Sequence, residues 1–360
     1  MLLHQIALTK LPQIGDITAK KLLFHFGDAK GVFSAKSKEL LAAGFSKLVI
    51  HSLRNNSALK EAEKEVAFVE KNNITPVFYT DVNYPYRLKF CDDGPILMYY
   101  RGNANLNYSR ILSIVGTRKI TDYGKWIGRK IVEELSDYNL LIVSGLAYGA
   151  DTVAHQSALD FGIPTVGITA HGQDMLYPSE NRKMAKKMLE LGGILTEFPS
   201  ETQPNRENFP KRNRIIAGLS DATLILEAGA KGGALITADI ANSYSRDVFA
   251  VPGRTNDVMS EGCNNLIKYN KAALVTSAQD IVRAMNWESK ATQNKQMTLF
   301  QELSEEELQV AKVLSDNGEC GIDMLVNHTG FTASKMAAIL LNLEFKNLVR
   351  CLPGKRYSLN

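Results

Sequence analysis

Cysteine is scarce in this 360-residue chain: Cys91, Cys263, Cys320 and Cys351 stand apart, with no Cys-x-x-Cys pair and no histidine at zinc-like spacing. A disulfide framework and a structural metal site are therefore not expected, and the thiols read as reduced, cytosolic ones. Apolar runs never approach the ~20 residues that cross a bilayer. The amino terminus, Met1-Leu-Leu-His-Gln5, lacks a basic segment ahead of a long apolar core, so no signal peptide is expected. Excess charge of one sign is also missing. Lys and Arg number 42 against 38 Asp and Glu, and a net charge of +4 argues for no polyanionic partner unless the positive charge clusters locally. Neither the Gly-x-Gly-x-x-Gly fingerprint nor a Walker A loop occurs, which removes the support for NAD binding and for ATP hydrolysis. What remains, 45% hydrophobic and 22% charged, is the composition of a soluble globular protein. The expectation is a cytoplasmic chain of two or three domains, without cofactor, metal or membrane partner.

Residues 1–70 read as short helices forming an N-terminal domain. Within it Leu11-Pro-Gln-Ile-Gly-Asp-Ile-Thr-Ala-Lys-Lys-Leu-Leu23 resembles a helix-hairpin-helix turn, with Gly15 at the turn and Ala19, Leu22 and Leu23 on the buried side of the following helix. Such a turn either offers backbone N–H groups to a phosphate or is simply a helical hairpin. Residues 71–285 form the core. Short apolar runs at Ile111–Val115, Leu140–Val143, Thr165–Thr169, Ile194–Glu197, Leu224–Glu227, Val248–Val251 and Ala273–Thr276 alternate with helical patterns, and strand-like runs at Pro76–Tyr79 and Ile96–Tyr100 precede them. Strands apolar on both faces predict a mostly parallel sheet covered by helices on each side, an α/β Rossmann-like fold. Residues 286–301 read as a linker. In 302–360, a capped helix opening at Ser304-Glu-Glu-Glu307, two further helical patterns and a hairpin around Pro353-Gly354 outline a winged-helix domain.

Glycines and cations fall at the strand ends, where parallel sheets bind ligands. After the first core strand come Gly116, Thr117, Arg118 and Lys119; Arg118 is suited to a phosphate, or alternatively pairs with a carboxylate in a solvated loop. Ser144, Gly145 and Gly149 line the next strand-to-helix turn, with Asp151 at an N-cap position and His155 one turn further. No Ser or Cys nucleophile accompanies His155, so a structural role is the reading adopted. Tyr177 suits base stacking or plain packing beside Pro178. The densest cluster is Phe209-Pro-Lys-Arg-Asn-Arg214. Its cations Lys211, Arg212 and Arg214 crowd a predicted helix start, where the dipole is already positive, which suggests an anion to be held. Phe209 offers a stacking face or anchors the loop. Finally, Glu227-Ala-Gly-Ala-Lys-Gly-Gly233 supplies Lys231, Gly232 and Gly233 to a phosphate-sized loop.

Taken in order, Gly116-Thr-Arg118, Tyr123-Gly124, Ser144 to Asp151, Ala154-His155, Tyr177-Pro178, Phe209 to Ser220, Gly232 to Ala238, Val251-Pro-Gly253 and Gly262 to Ile267 strongly resemble the DprA (Smf) family of DNA-processing proteins. Ala150 and Ala170-His171 are small departures that remove no charge. The resemblance implies a non-catalytic, dimeric protein that binds single-stranded DNA entering a cell in natural transformation, protects it and helps load the RecA recombinase. It implies a Rossmann-like core, often with a sterile-alpha-motif-like or hairpin domain before it and a winged helix after it. It assigns DNA contact to Gly116, Thr117, Arg118, Ser144, Gly145, Gly149, Phe209, Lys211, Arg212, Asn213, Arg214, Lys231, Gly232 and Gly233. Two other readings stay open. Glu227 beside a glycine loop also fits a phosphoribohydrolase-like nucleotide enzyme, and a winged helix also fits a regulator that reads duplex DNA, although Glu305–Glu307 oppose its modest positive charge.

Overall fold

A computed structural model describes residues 1–54, 57–287, 303–346, 348–352 and 356–359. The chain divides into two compact units, Met1–Trp287 and Glu288–Asn360.

The first unit opens with six helices: α1 (Leu2–Thr9), α2 (Asp16–Phe26), α3 (Ala29–Ser34), α4 (Ser37–Ala42), α5 (Lys47–Leu53) and α6 (Ser57–Lys71). Ala19, Leu22 and Leu23 of α2, spaced three and four apart, are its buried face, as their periodicity predicts. They join Ile6, Leu8 and Leu40 in a core that continues without a break onto Phe78, Ile96, Leu97 and Tyr99 of the neighbouring sheet.

That sheet has nine strands: β1 (Thr75–Phe78), β2 (Leu97–Gly102), β3 (Ile111–Val115), β4 (Leu141–Ser144), β5 (Thr165–Ile168), β6 (Gly193–Thr196), β7 (Ala222–Ile225), β8 (Asp247–Ala250) and β9 (Ala273–Leu274). Their order is β1-β2-β6-β5-β4-β3-β7-β8-β9. From β6 to β9 every pairing is parallel; β2 runs antiparallel to both β1 and β6. Every residue of β3, β4, β5 and β7 is buried, which is why these strands read as unbroken apolar runs. Between Leu97 and Leu274 the helices are α7 (Tyr86–Lys89, just ahead), α8 (Asp122–Glu134), α9 (Ala150–Asp160), α10 (Arg182–Leu191), α11 (Asn208–Leu219), α12 (Gly233–Ser243) and α13 (Glu261–Lys268), with α14 (Ala278–Ala284) after them. Residues of α8, α9 and α14 cover one sheet face through Ile127, Ile131, Ala154 and Ile281. Those of α11, α12 and α13 cover the other through Ile215, Ile216, Ala238 and Cys263.

The topology fixes where a ligand fits. From β3 the chain steps outward through β4 and β5, whereas from β7 it steps the opposite way through β8 and β9. The carboxyl ends of β3 and β7 therefore lie side by side while their connections part, leaving a crevice between them.

The second unit is a small winged helix: α15 (Glu305–Asn317), β10 (Cys320–Gly321), α16 (Ile322–Thr329), α17 (Ala333–Phe345), β11 (Val349–Leu352) and β12 (Arg356–Leu359), with strand order β10-β12-β11. Ser304 Oγ accepts from Glu307 N (3.2 Å) while Ser304 N donates to Glu307 Oε2 (2.8 Å), the reciprocal cap expected for α15. Val310, Leu314, Leu325, Met336 and Leu340 fill its core. The expected wing turn at Pro353-Gly354, and residues 288–301 of the expected linker, lie outside the described residues.

Candidate nucleic-acid interface

The crevice is built from three loops bound to one another by backbone. Thr117 N donates to Glu227 O (2.7 Å), and Ala150 N donates to Thr117 O (3.1 Å). The fit is close enough to require glycine at Gly149: its φ is +79°, and a Cβ there would stand 2.3 Å from Thr117 O. Gly145 makes a different allowance. A Cβ on it would come within 2.2 Å of both Arg212 Nη1 and Asp151 Oδ2, so the bare backbone is what admits the guanidinium.

Arg212, on the first turns of α11, is only 5% exposed. Its Nη1 donates to Ile168 O (2.5 Å), but its buried Nε has no partner. Burial pushes its pKa down, Asp151 pushes it back up and nearby Arg118 pushes it down again; a guanidinium starts so high that it stays charged. Among the described residues Arg212 forms no ion pair, and neither do Arg118, Arg206 or Lys231. A buried cation with an unsatisfied donor has a large unmet demand for an anion. The Phe209 ring is shared by this guanidinium and that of exposed Arg118, with Arg118 Cζ 4.9 Å and Arg212 Cζ 5.9 Å from its centroid. On the far wall, Asn213 Nδ2 donates to Gly233 O (3.3 Å), tying α11 to α12. Helix α12 opens on Gly232 with no side-chain cap, so its first N–H groups and positive dipole end face the opening.

The resulting cavity, about 320 Å³, is lined by Gly116, Thr117, Arg118, Phe209, Arg212 and Asn213 on one side and Lys231, Gly232 and Gly233 on the other. A wider opening of about 840 Å³ continues from it past Arg118, Phe209 and Lys231 and adds Arg206.

Nine of the fourteen residues singled out from the sequence thus meet at one cavity. The other five do not line it. Ser144 is fully buried, donating from Oγ to Ile114 O (2.6 Å), and Gly145 and Gly149 act as spacers behind the wall. Arg214 faces away, its Nη2 paired with Glu197 and with Asp16 of α2 (3.2 Å), and its Nη1 donating to Asp93 O. Lys211 is exposed and lines that second recess beside Glu197 and Arg214. A helix turn explains the split: Lys211 and Arg214 are three apart on one face, while Phe209, Arg212 and Asn213 share the other.

Two residues that invited catalytic readings are engaged structurally. His155 is fully buried; its Nε2–H donates to Gly145 O (2.5 Å), leaving Nδ1 to accept from Thr165 Oγ1 (2.7 Å), and burial lowers its pKa, so the ring is neutral. Glu227 turns from the cavity to the start of α8, where its carboxylate accepts from Thr121 N (2.8 Å) and Thr121 Oγ1 (2.5 Å). Asp151, expected at an N-cap position, is instead the second residue of α9, whose N-cap is Gly149; its Oδ2 accepts from Ala147 N and it lines the cavity, a role the sequence did not show, as it did not for Arg206. Arg206 lies three residues before Phe209, and a basic cluster counted from Asn208 stops short of it.

A mostly parallel α/β sheet with a cation-lined cavity at its switch point has the geometry that suits a phosphate. Residues 75–286 match the family described as DNA recombination-mediator protein A, and residues 297–355 match the DprA winged helix domain. The chain belongs to this DprA family. Protein Smf of Synechocystis is 33% identical, with 98% of each chain aligned. The X-ray structure of DNA processing protein A from Streptococcus pneumoniae superposes with a TM-score of 0.66 at 31% identity, covering 79% of this chain and 98% of that one. DNA processing protein A from Helicobacter pylori, whose structure is described in terms of a single-stranded DNA binding mode, gives 0.55 at 28% identity over 60% of this chain and 97% of that one.

Proposed function

We propose that this protein binds single-stranded DNA at the β3–β7 crevice, without covalent chemistry, and hands the strand to the RecA recombinase during natural transformation. The observation that carries the DNA reading is Arg212: a buried guanidinium with no ion pair among the described residues and an unsatisfied Nε, sharing the Phe209 ring with exposed Arg118. Arg118, Arg206, Arg212 and Lys231 would meet successive phosphates, with Phe209 and the N–H groups of Gly232 and Gly233 between them. Among the polar side chains that line the cavity, Asp151 accepts from Ala147 N while Asn213 and Thr237 donate to Gly233 O, so recognition would follow the backbone. The Helicobacter pylori relative supports the choice of a single strand. RecA transfer, a homodimer that puts two crevices on one strand, and a cytoplasmic location rest on the family resemblance. The nucleotide-enzyme alternative loses its main support, because Glu227 is taken up at the α8 cap.

The test is fluorescence anisotropy with labelled oligo-dT and a matched duplex. Tight single-strand binding that drops at least tenfold in Arg118→Ala, with thermal unfolding unchanged, is expected. Equal affinity for the duplex, or an Arg118→Ala variant that binds like the parent, overturns the site. RecA transfer is checked separately: filament nucleation on single strands coated with a single-strand-binding protein should accelerate when this protein is added.

A further inference from the structure

Away from the cavity, one pair of large aromatic side chains stands in solvent beside the same sheet edge. Tyr123 is 44% exposed and Trp126 56% exposed on the outer side of α8, while Gly124, Ile127, Gly128 and Ile131 form the buried side. Their ring centroids lie 6.1 Å apart at an interplanar angle of 34°. Single exposed aromatics need no explanation, but this pair is adjacent and anchored. Tyr123 Oη donates to Pro252 O (3.2 Å), which pins the ring at its tip. Lys130 Nζ lies 5.4 Å from the Trp126 ring centroid and 3.8 Å from Glu134 Oε1, Lys125 is paired with Asp122 (2.9 Å), and Lys119 and Arg254 are exposed on the loops before α8 and after Pro252.

The pair is also mechanically continuous with the cavity. Thr121, the cap of α8, is held by Glu227 at the root of the glycine loop, and Thr117 of the cavity wall touches Met259 (Oγ1 to Sδ, 3.7 Å) on the segment that follows Pro252. Both ends of the platform are therefore fixed to loops that line the crevice.

We propose that Tyr123 and Trp126 form a base-stacking platform where a single strand leaving the crevice lays its next bases, a proposal that rests on the single-strand reading of that crevice. Every base has a π-face, so stacking on Trp or Tyr holds a strand without regard to sequence, while Lys119 and Arg254 meet its phosphates. Continuity with the cationic cavity, together with exposed Lys119 and Arg254, which form no ion pair among the described residues, favours a nucleic acid over an apolar protein segment here.

The test uses the full-length protein with two oligo-dT ligands: one just long enough to fill the cavity and one that extends beyond it. Trp126 is one of only two tryptophans, so the longer oligonucleotide should quench intrinsic fluorescence, and Trp126→Ala should abolish most of that quench. Trp126→Ala and Tyr123→Ala should each weaken the longer ligand about tenfold, leave the shorter one unchanged, and leave the salt dependence of binding as it was. Trp126→Phe and Tyr123→Phe should restore most of the affinity. Binding without Trp126-dependent quenching, or an equal loss for both lengths, overturns the platform while leaving the crevice standing. Trp126 emission that shifts to the blue with protein concentration alone assigns the pair to a contact between copies and overturns it too. Absence of binding to either ligand removes the single-strand reading itself.

Discussion

Arg212 occupies space that a side chain on residue 145 would need. Adding one methyl group at Gly145 forces the guanidinium, Asp151 or the turn itself to move, because the new Cβ would stand 2.2 Å from both charged groups. Gly145→Ala is therefore expected to lower single-strand affinity by about tenfold and stability by about 1–3 kcal/mol, read by anisotropy and urea unfolding. Gly149→Ala should be the more damaging for the fold. Its φ of +79° disfavours any side chain, and the obstacle at 2.3 Å is the Thr117 carbonyl, which cannot rotate aside. A Gly149→Ala variant as stable as the parent would show that the turn is not held as tightly as its contacts indicate. Both glycines were visible in the sequence as phosphate-loop residues, but their spacing role was not. What a missing Cβ makes room for depends on Arg212 and Thr117, which approach from other parts of the chain.

At the scale of elements, α11 holds cations on two faces with different purposes. Arg212 serves the crevice, whereas Arg214 meets Glu197, Asp16, Asp93 and Tyr244, joining β6 and α2 to the core. Three carboxylates, Asp16, Asp93 and Glu197, share that recess with Arg214, Lys10 and Lys211. Burial pushes the Glu197 carboxyl up to about 7, opposed by Arg214 and assisted by Asp16. Because the folded-state value exceeds the ordinary 4.5, the native protein keeps a proton that the unfolded chain releases between those pH values. Stability contributed by this group is thus greatest near pH 4.5 and falls as pH rises through about 7. Glu197→Gln should flatten the fall from pH 5 to 7.5 by on the order of 2 kcal/mol, measured by urea denaturation at both values. His155, whose pKa is lowered by burial, gives an opposite slope below its ordinary value but cancels between parent and variant. A variant with the parent's pH profile would rule out protonation of Glu197. The strands themselves were legible within a residue or two, because burial on both faces leaves an apolar run. The two-residue offsets have local causes: β7 begins at Ala222-Thr223, too weakly apolar to mark a start, and β9 pairs over two residues only, while β10, just two residues long, was not read from the sequence. The fate of Arg214 was not legible. Asp16, Asp93 and Glu197 are far apart in sequence, and only the closed fold brings them to one guanidinium.

For the whole molecule, the small net charge sharpens the electrostatic expectation. A chain at +4 exerts little general attraction on a polyanion, so salt dependence must come from the local patch. Four cations line the crevice and its wider opening: Arg118, Arg206, Arg212 and Lys231. If each neutralises one phosphate, the affinity for a short oligo-dT should fall with log salt at a slope near −3, since each phosphate on a single strand contributes about −0.7. Raising salt from ~50 to ~200 mM would then cost about fiftyfold in affinity. Arg118→Ala and Lys231→Ala should each reduce the slope by about 0.7. Lys211→Ala and Arg214→Ala should leave it unchanged, because one side chain faces another recess and the other is already paired. This contrast separates the two faces of α11 by a quantity that stability changes do not move. Equal slope losses from Lys211 and Arg118 would mean the strand crosses both faces of α11, and that the path runs over the α2 recess as well as the β3–β7 crevice.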